Sequence, residues 1–182
     1  MKNQLVKILN NWDGKHIEYL INCYDQYADD NTFFDILIEI TYGQTELQTA
    51  TTWIIKHHYD GKKSLSESLA DQLLSSINQL KNWGAKLHIL QLLPKIHITK
   101  NTVNPVDQFV RKCLNDDNKF VRAWSYQGLY EVSKHIPEYE SELRSLCKRA
   151  MQTESASIRS RVRKVLSILD DSKNDISHKI QQ

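Results

Sequence analysis

At 182 residues, with 40% hydrophobic and 25% charged side chains, the chain can build a sizeable core and is too evenly balanced for a disordered segment. A net charge of +2, from 24 basic and 22 acidic residues, is not that of a protein held mainly by phosphate contacts. No stretch approaches about 18 consecutive apolar residues, and MKNQLVKILNNWD lacks the apolar segment of a secretory signal, so a cytoplasmic protein that avoids membranes is expected.

The predicted elements are helices throughout, as the 5 glycines and 3 prolines allow. Residues 3–11 predict a short polar helix, interrupted by Asp13-Gly14. His16 to Ala28 follows, with Ile17, Leu20, Ile21 and Tyr24 at helical spacing. Asp29-Asp30-Asn31 is a turn, and FFDILIEIT after it is assigned to a helix by its place between two others. Thr45 with Gln48, and Ser64 with Glu67, have capping-box spacing and predict helices over 45–59 and 64–81. Trp83 to Ile96 is the next helix, ended near Pro94. Asn104-Pro105 predicts a cap and first helical position for a helix to about Leu114. Lys119 to Met151 reads as two antiparallel helices joined at Lys134 to Pro137. Ser155 to Ser157 opens a last helix to about Leu169, before a polar tail over 171–182.

An internal repeat runs through this series. First helices aligned at Ala50, Ala85, Val121 and Ile158 are 35, 36 and 37 residues apart. Val121, Ser125, Gly128, Leu129 and Val132 then correspond to Ile158, Val162, Val165, Leu166 and Leu169, and to Ala85, Ile89, Leu92, Leu93 and Ile96. Second helices align likewise, with Ala70, Leu73, Leu74 and Ile77 matching Val106, Phe109, Val110 and Cys113, then Leu143, Leu146, Cys147 and Ala150. Counting back reaches Phe34, Leu37, Ile38 and Thr41. Each pair carries one apolar stripe per helix and buries both only by stacking on neighbours, the signature of a repeat array.

Val121-Arg122-Ala123-Trp124-Ser125 with Gly128-Leu129, and Ile158-Arg159 with Val162, Val165 and Leu166, resemble the HEAT-repeat family. Ala85-Lys86 and Ala50-Thr51 are weaker copies. The period is shorter than usual for that family and nearer the tetratricopeptide repeat, whose Trp, Leu-Gly and Tyr spacing is absent. The resemblance implies an all-α fold, a right-handed α-α superhelix of about four helix pairs. It is taken as one domain over 1–170, with its best repeats at 119–170. It further implies a curved surface that binds proteins and sometimes nucleic acid.

A remoter likeness is to the DNA alkylation-repair glycosylases built from HEAT-like repeats. Asn82-Trp83 and Asn118-Lys119-Phe120-Val121-Arg122 sit where that family has paired motifs. Its catalytic aspartate region falls on Gly84 to His88, which has no carboxylate. Asn11-Trp12-Asp13 has one, too far upstream, and the doubled arginine reads Arg-Ala. The glycosylase chemistry is therefore not carried over, and no catalytic residue is assigned.

Cys23, Cys113 and Cys147 are an odd number without close spacing, and fit core positions in a reducing compartment. The 7 histidines form no i, i+4 pair, and His57-His58 point to different helix faces, so neither metal nor cofactor is assigned. Two groups of residues suggest binding. The fourth position of successive first helices is Trp53, His88, Trp124 and Arg161, which would bring a guanidinium over an indole face. The bland explanation is that these tryptophans seal neighbouring repeats together. Arg144, Lys148, Arg149, Arg159, Arg161, Arg163 and Lys164 place seven positive charges within 21 residues that contain one acid, Glu154. Residues 100–182 carry 15 basic and 11 acidic side chains, against 9 and 11 in residues 1–99. Such a cluster can neutralise phosphates or an acidic protein surface, and Glu138, Glu140 and Glu142 can offset part of it. The binding residues expected are Trp53, His88, Arg122, Trp124, Arg144, Lys148, Arg159, Arg161, Arg163 and Lys164. The function expected is a non-enzymatic scaffold for a protein partner, with nucleic-acid binding the alternative and self-association through an exposed end allowed.

Overall fold

A computed structural model describes the backbone of residues 1–180 and the side chains of residues 1–171. The described chain is all-α, with helices α1 (Lys2–Asn10), α2 (Glu18–Tyr27), α3 (Phe33–Gly43), α4 (Gln48–Asp60), α5 (Glu67–Ser75), α6 (Trp83–Leu92), α7 (Val103–Cys113), α8 (Lys119–Ser133), α9 (Tyr139–Thr153) and α10 (Ala156–Ile180). Single 3-10 turns occupy Thr45–Leu47 and Ile77–Gln79. The chain groups into two compact units, Met1–Phe109 and Val110–Gln182. Among the described residues, no helix is long and apolar enough to cross a membrane.

The repeat ladder is the core. In α6, α8 and α10 the aligned residues Ala85, Ile89, Leu92, Val121, Leu129, Val132, Ile158, Val162 and Val165 are wholly buried. The second-helix positions Leu73, Leu74, Ile77, Val106, Val110, Leu143 and Cys147 are equally enclosed. Leu146 and Leu166 depart from the ladder and are only half-buried. Within the first unit α4 lies against α6, and within the second α8 lies against α10. First helices of consecutive repeats therefore face each other, which removes both apolar stripes from water. The array also begins earlier than the sequence ladder showed: α2 packs on α4, and so occupies a first-helix place before α3.

Caps and starts differ from expectation at three places. Thr45 does not open a capping box. Gln48 instead buries its side chain, accepting from the Lys81 and Asn82 amides at 2.8 and 3.3 Å and donating to the Gln79 carbonyl at 3.2 Å. A side chain spent on the next repeat cannot reach back to its own cap. The start of α5 falls at Ser66, whose Oγ accepts from the Leu69 amide at 3.3 Å. Ser64 is left in the connecting loop because buried Leu65 donates its amide to Tyr59 Oη. One residue before Asn104-Pro105, at Val103, α7 already begins, and Pro105 sits in its first turn, where an amide proton has no intrahelical acceptor. By contrast, Asn118 caps α8 through its side chain, at 2.9 and 3.4 Å from the Phe120 and Val121 amides. The helical backbone of α10 extends through the expected tail to Ile180; side chains beyond residue 171 lie outside the described residues.

Candidate binding surfaces

The first unit carries an aromatic cleft of about 370 Å³, bordered by Trp12, Ile17, Trp53, Trp83, Leu87 and His88, with Gly14, Lys15, Thr49 and Gly84 completing its wall. Each wall is held by its own bonding. Asp13 accepts from the Lys15 and His16 amides at 2.9 and 3.0 Å and pairs with His16 Nδ1 at 2.5 Å. Those bonds hold the Asp13 carboxyl far below its usual range and raise the pKa of His16. Trp12 Nε1 donates to the His16 carbonyl at 3.1 Å, and Gly14 closes the turn at φ +78°, a conformation other residues rarely adopt.

The opposite wall is set by α4 and α6. The Gln48 bonds, with Asn82 Nδ2 donating to the Thr45 carbonyl at 2.6 Å, tie the start of α6 to α4. Gly84 permits the close approach: a Cβ there would stand 2.9 Å from Thr49 Cγ2. Trp83, the first residue of α6, remains 54% exposed. Trp53 stacks on His57 with centroids 5.0 Å apart and planes 11° from parallel. His88 Nδ1 lies 3.1 Å from Thr52 Oγ1, and burial depresses its pKa to about 4, so the imidazole is neutral at pH 7.

In the second unit a shallower groove of about 170 Å³ lies along α8 and α10, lined by Phe120, Ala123, Trp124, Ser157, Ser160, Arg161 and Lys164. The Arg161 guanidinium sits 3.6 Å from the centre of the Trp124 ring, and Phe120 beside it is 48% exposed. Two of the expected ladder residues thus meet in this groove, and the other two, Trp53 and His88, meet in the cleft of the first unit.

The basic cluster divides. Arg122 donates to the Asp116 and Asp117 carbonyls at 2.7 and 3.1 Å and faces Glu154 at 3.4 Å. Arg144 bonds Glu140, Asp170 and the Leu169 carbonyl, at 2.9, 2.6 and 2.8 Å. Arg159 donates to the Glu154 carbonyl at 2.9 Å. These three join turns and helices rather than face solvent. Lys148, Arg149, Arg163 and Lys164 are exposed. The sequence run counted one acid because Glu140 and Asp170 lie outside it and carbonyls leave no trace in composition.

A family model for the HEAT repeat domain matches residues 1–169. The chain belongs to the HEAT-repeat family. No curated protein and no solved structure matches it. Trp53, His88, Trp124 and Arg161 all come from the first helices of successive repeats, α4, α6, α8 and α10, and so share one register. Trp12, Ile17 and Trp83 line the cleft but were not among the expected binding residues: they lie outside that register, at the turn before α2 and the first position of α6. Neither the cleft nor the groove is lined by a carboxylate among the described residues. Asp116, in the turn before α8, accepts from the Asn118 amide at 2.9 Å. All three cysteines are buried, and burial pushes the Cys23 and Cys147 thiols up to about 11, away from thiolate chemistry.

Proposed function

We propose that this HEAT-repeat chain is a non-enzymatic adaptor that holds an acidic segment of a partner protein against α8 and α10. One observation carries it: Arg161 is spread over the Trp124 face, 3.6 Å from the ring centre, while no acceptor among the described residues takes its N–H groups. A guanidinium so oriented has its planar fork ready for a carboxylate, with little side-chain entropy left to lose. Phe120 offers an apolar anchor next to it, and Lys164 adds a second positive charge. An acidic segment with one aromatic or aliphatic residue matches that set. Such a contact is expected to concentrate its affinity on the buried anchor and on Arg161, with the remaining cations steering approach.

Nucleic acid is the second reading, since a phosphate fits the same fork and a base can stack on Phe120. The engagement of Arg122, Arg144 and Arg159 by internal acceptors leaves fewer cations for a phosphate backbone, which favours the protein partner. Cross-linking capture from nuclease-treated lysate tests the choice, with captured proteins purified and rebound singly. Partners cross-linked to α8 or α10, and lost with Phe120→Ser or Lys164→Glu, are the expected result. Partners whose cross-links map elsewhere and survive both substitutions would contradict it.

A further inference from the structure

We infer that the aromatic cleft of the first unit is a small-molecule site for a planar aromatic compound bearing one anionic group. The inference concerns Met1–Phe109 alone and stands apart from the α8–α10 reading. Three of the protein's 4 tryptophans border this one space. Two of its lining residues, Trp83 at 54% and Ile17 at 43%, are among the most exposed large apolar side chains. Large apolar surface left together in water marks a place that a ligand or partner covers. Rings of indole gain more from a flat π system, by stacking, than from area burial alone.

The volume, about 370 Å³, is at the small end of ligand pockets, enough for a two-ring compound and short of a folded peptide segment. The walls are preformed by hydrogen bonds that do not involve a ligand: the Asp13 turn, the Gln48 clamp and the His88–Thr52 contact. Little ordering is left for binding to supply.

Charge decides the class. Lys15 is the one lining residue that is charged at pH 7. The nearest carboxylate in sequence, Asp13, is turned into its own loop by three bonds. A cation in this aromatic space would meet Lys15 with no carboxylate in the lining to offset it. An aryl carboxylate, or an aryl ring carrying a phosphate, stacks on indole and places its anion toward Lys15.

Calorimetry of the full chain with naphthalene carboxylate tests the site, paired with spectra of the indole N–H groups in nitrogen-labelled protein. Expected are saturable one-to-one binding and movement of the Trp12, Trp53 and Trp83 signals without movement of Trp124. Trp83→Ala should weaken binding at least about tenfold, as loss of one stacking partner does. Lys15→Glu should weaken it roughly tenfold and admit naphthyl-trimethylammonium instead. Both side chains are exposed, and an unchanged thermal melt of each variant separates lost binding from lost fold. Tighter binding of the cation by the unaltered protein, equal movement of Trp124, or no saturation with either probe would overturn the inference.

Discussion

At the scale of single residues, the cleft shows how one repeat position acquires a specific environment. His88 occupies the register held by Trp53 in the preceding first helix, and desolvation, with the Lys56 charge nearby, keeps it neutral. Its pKa falls from 6.5 in the unfolded chain to about 4 in the folded one. Between those values the unfolded state binds a proton that the folded state refuses, so stability drops as pH falls through this window and levels off below it. The loss from His88 is about 3 kcal/mol. Denaturant melts at successive pH values should show a slope that is largely flattened in His88→Asn. Buried His58, also depressed by desolvation, leaves a smaller slope of the same sign. Gly84 makes a second residue-scale prediction. Gly84→Ala should cost about 1–3 kcal/mol by crowding, because its Cβ meets Thr49 Cγ2 at 2.9 Å. Thr49→Ala in the same chain should recover most of that loss, since it removes both crowding atoms, and a double-mutant cycle of thermal melts measures the coupling.

At the scale of elements, the helix starts separate what pattern alone could tell from what it could not. Ser64 and Glu67 have the spacing of a capping box, yet Ser66 makes the cap. The pattern was legible but one turn of loop was not, because Leu65 is fixed by its burial and its bond to Tyr59. Ser66→Ala should lower stability by about 1 kcal/mol, equivalent to a shift of about 2–4 °C in the midpoint of a chain this size, and Ser64→Ala should leave the midpoint in place. The same limit explains Gln48. A polar residue near a helix start reads as local capping, whereas its partners are 31 to 34 residues away in the next repeat. Long-range polar contacts have no period, so self-comparison finds the apolar ladder and passes over the clamp that aims Trp83.

At the scale of the molecule, the ladder was legible because stacking imposes the same burial on every repeat. Leu129 is wholly enclosed within α8, and the matching positions Leu93 and Leu166 are enclosed and half-buried, respectively. Leu129→Asp should strip hydrogen-exchange protection from α8, α9 and α10, since an unpaired carboxylate at that point has neither water nor counter-charge. The cleft and the groove, as candidate surfaces, were half legible. Trp124 with Arg161, and Trp53 with His88, followed from register, while Trp12 and Trp83 reach the cleft through a turn and a helix start that carry no repeat signal. Composition likewise overstated the basic cluster, because Arg144 is tied to Glu140, Asp170 and the Leu169 carbonyl, all outside the run, and Arg159 to a backbone carbonyl that composition does not show.

The role proposed for α8 and α10 is to receive acidic protein segments. Fluorescence anisotropy tests it directly, with a labelled Asp- and Glu-rich peptide containing one phenylalanine set beside single- and double-stranded oligonucleotides over a salt series. The peptide is expected to bind, with an affinity that weakens with salt; Arg161→Ala and Phe120→Ser should each reduce that affinity at least about tenfold, and the oligonucleotides should bind more weakly throughout. Oligonucleotide binding tighter than the peptide's, falling linearly in log salt and lost with Arg161→Ala, would contradict it and make this face a nucleic-acid interface.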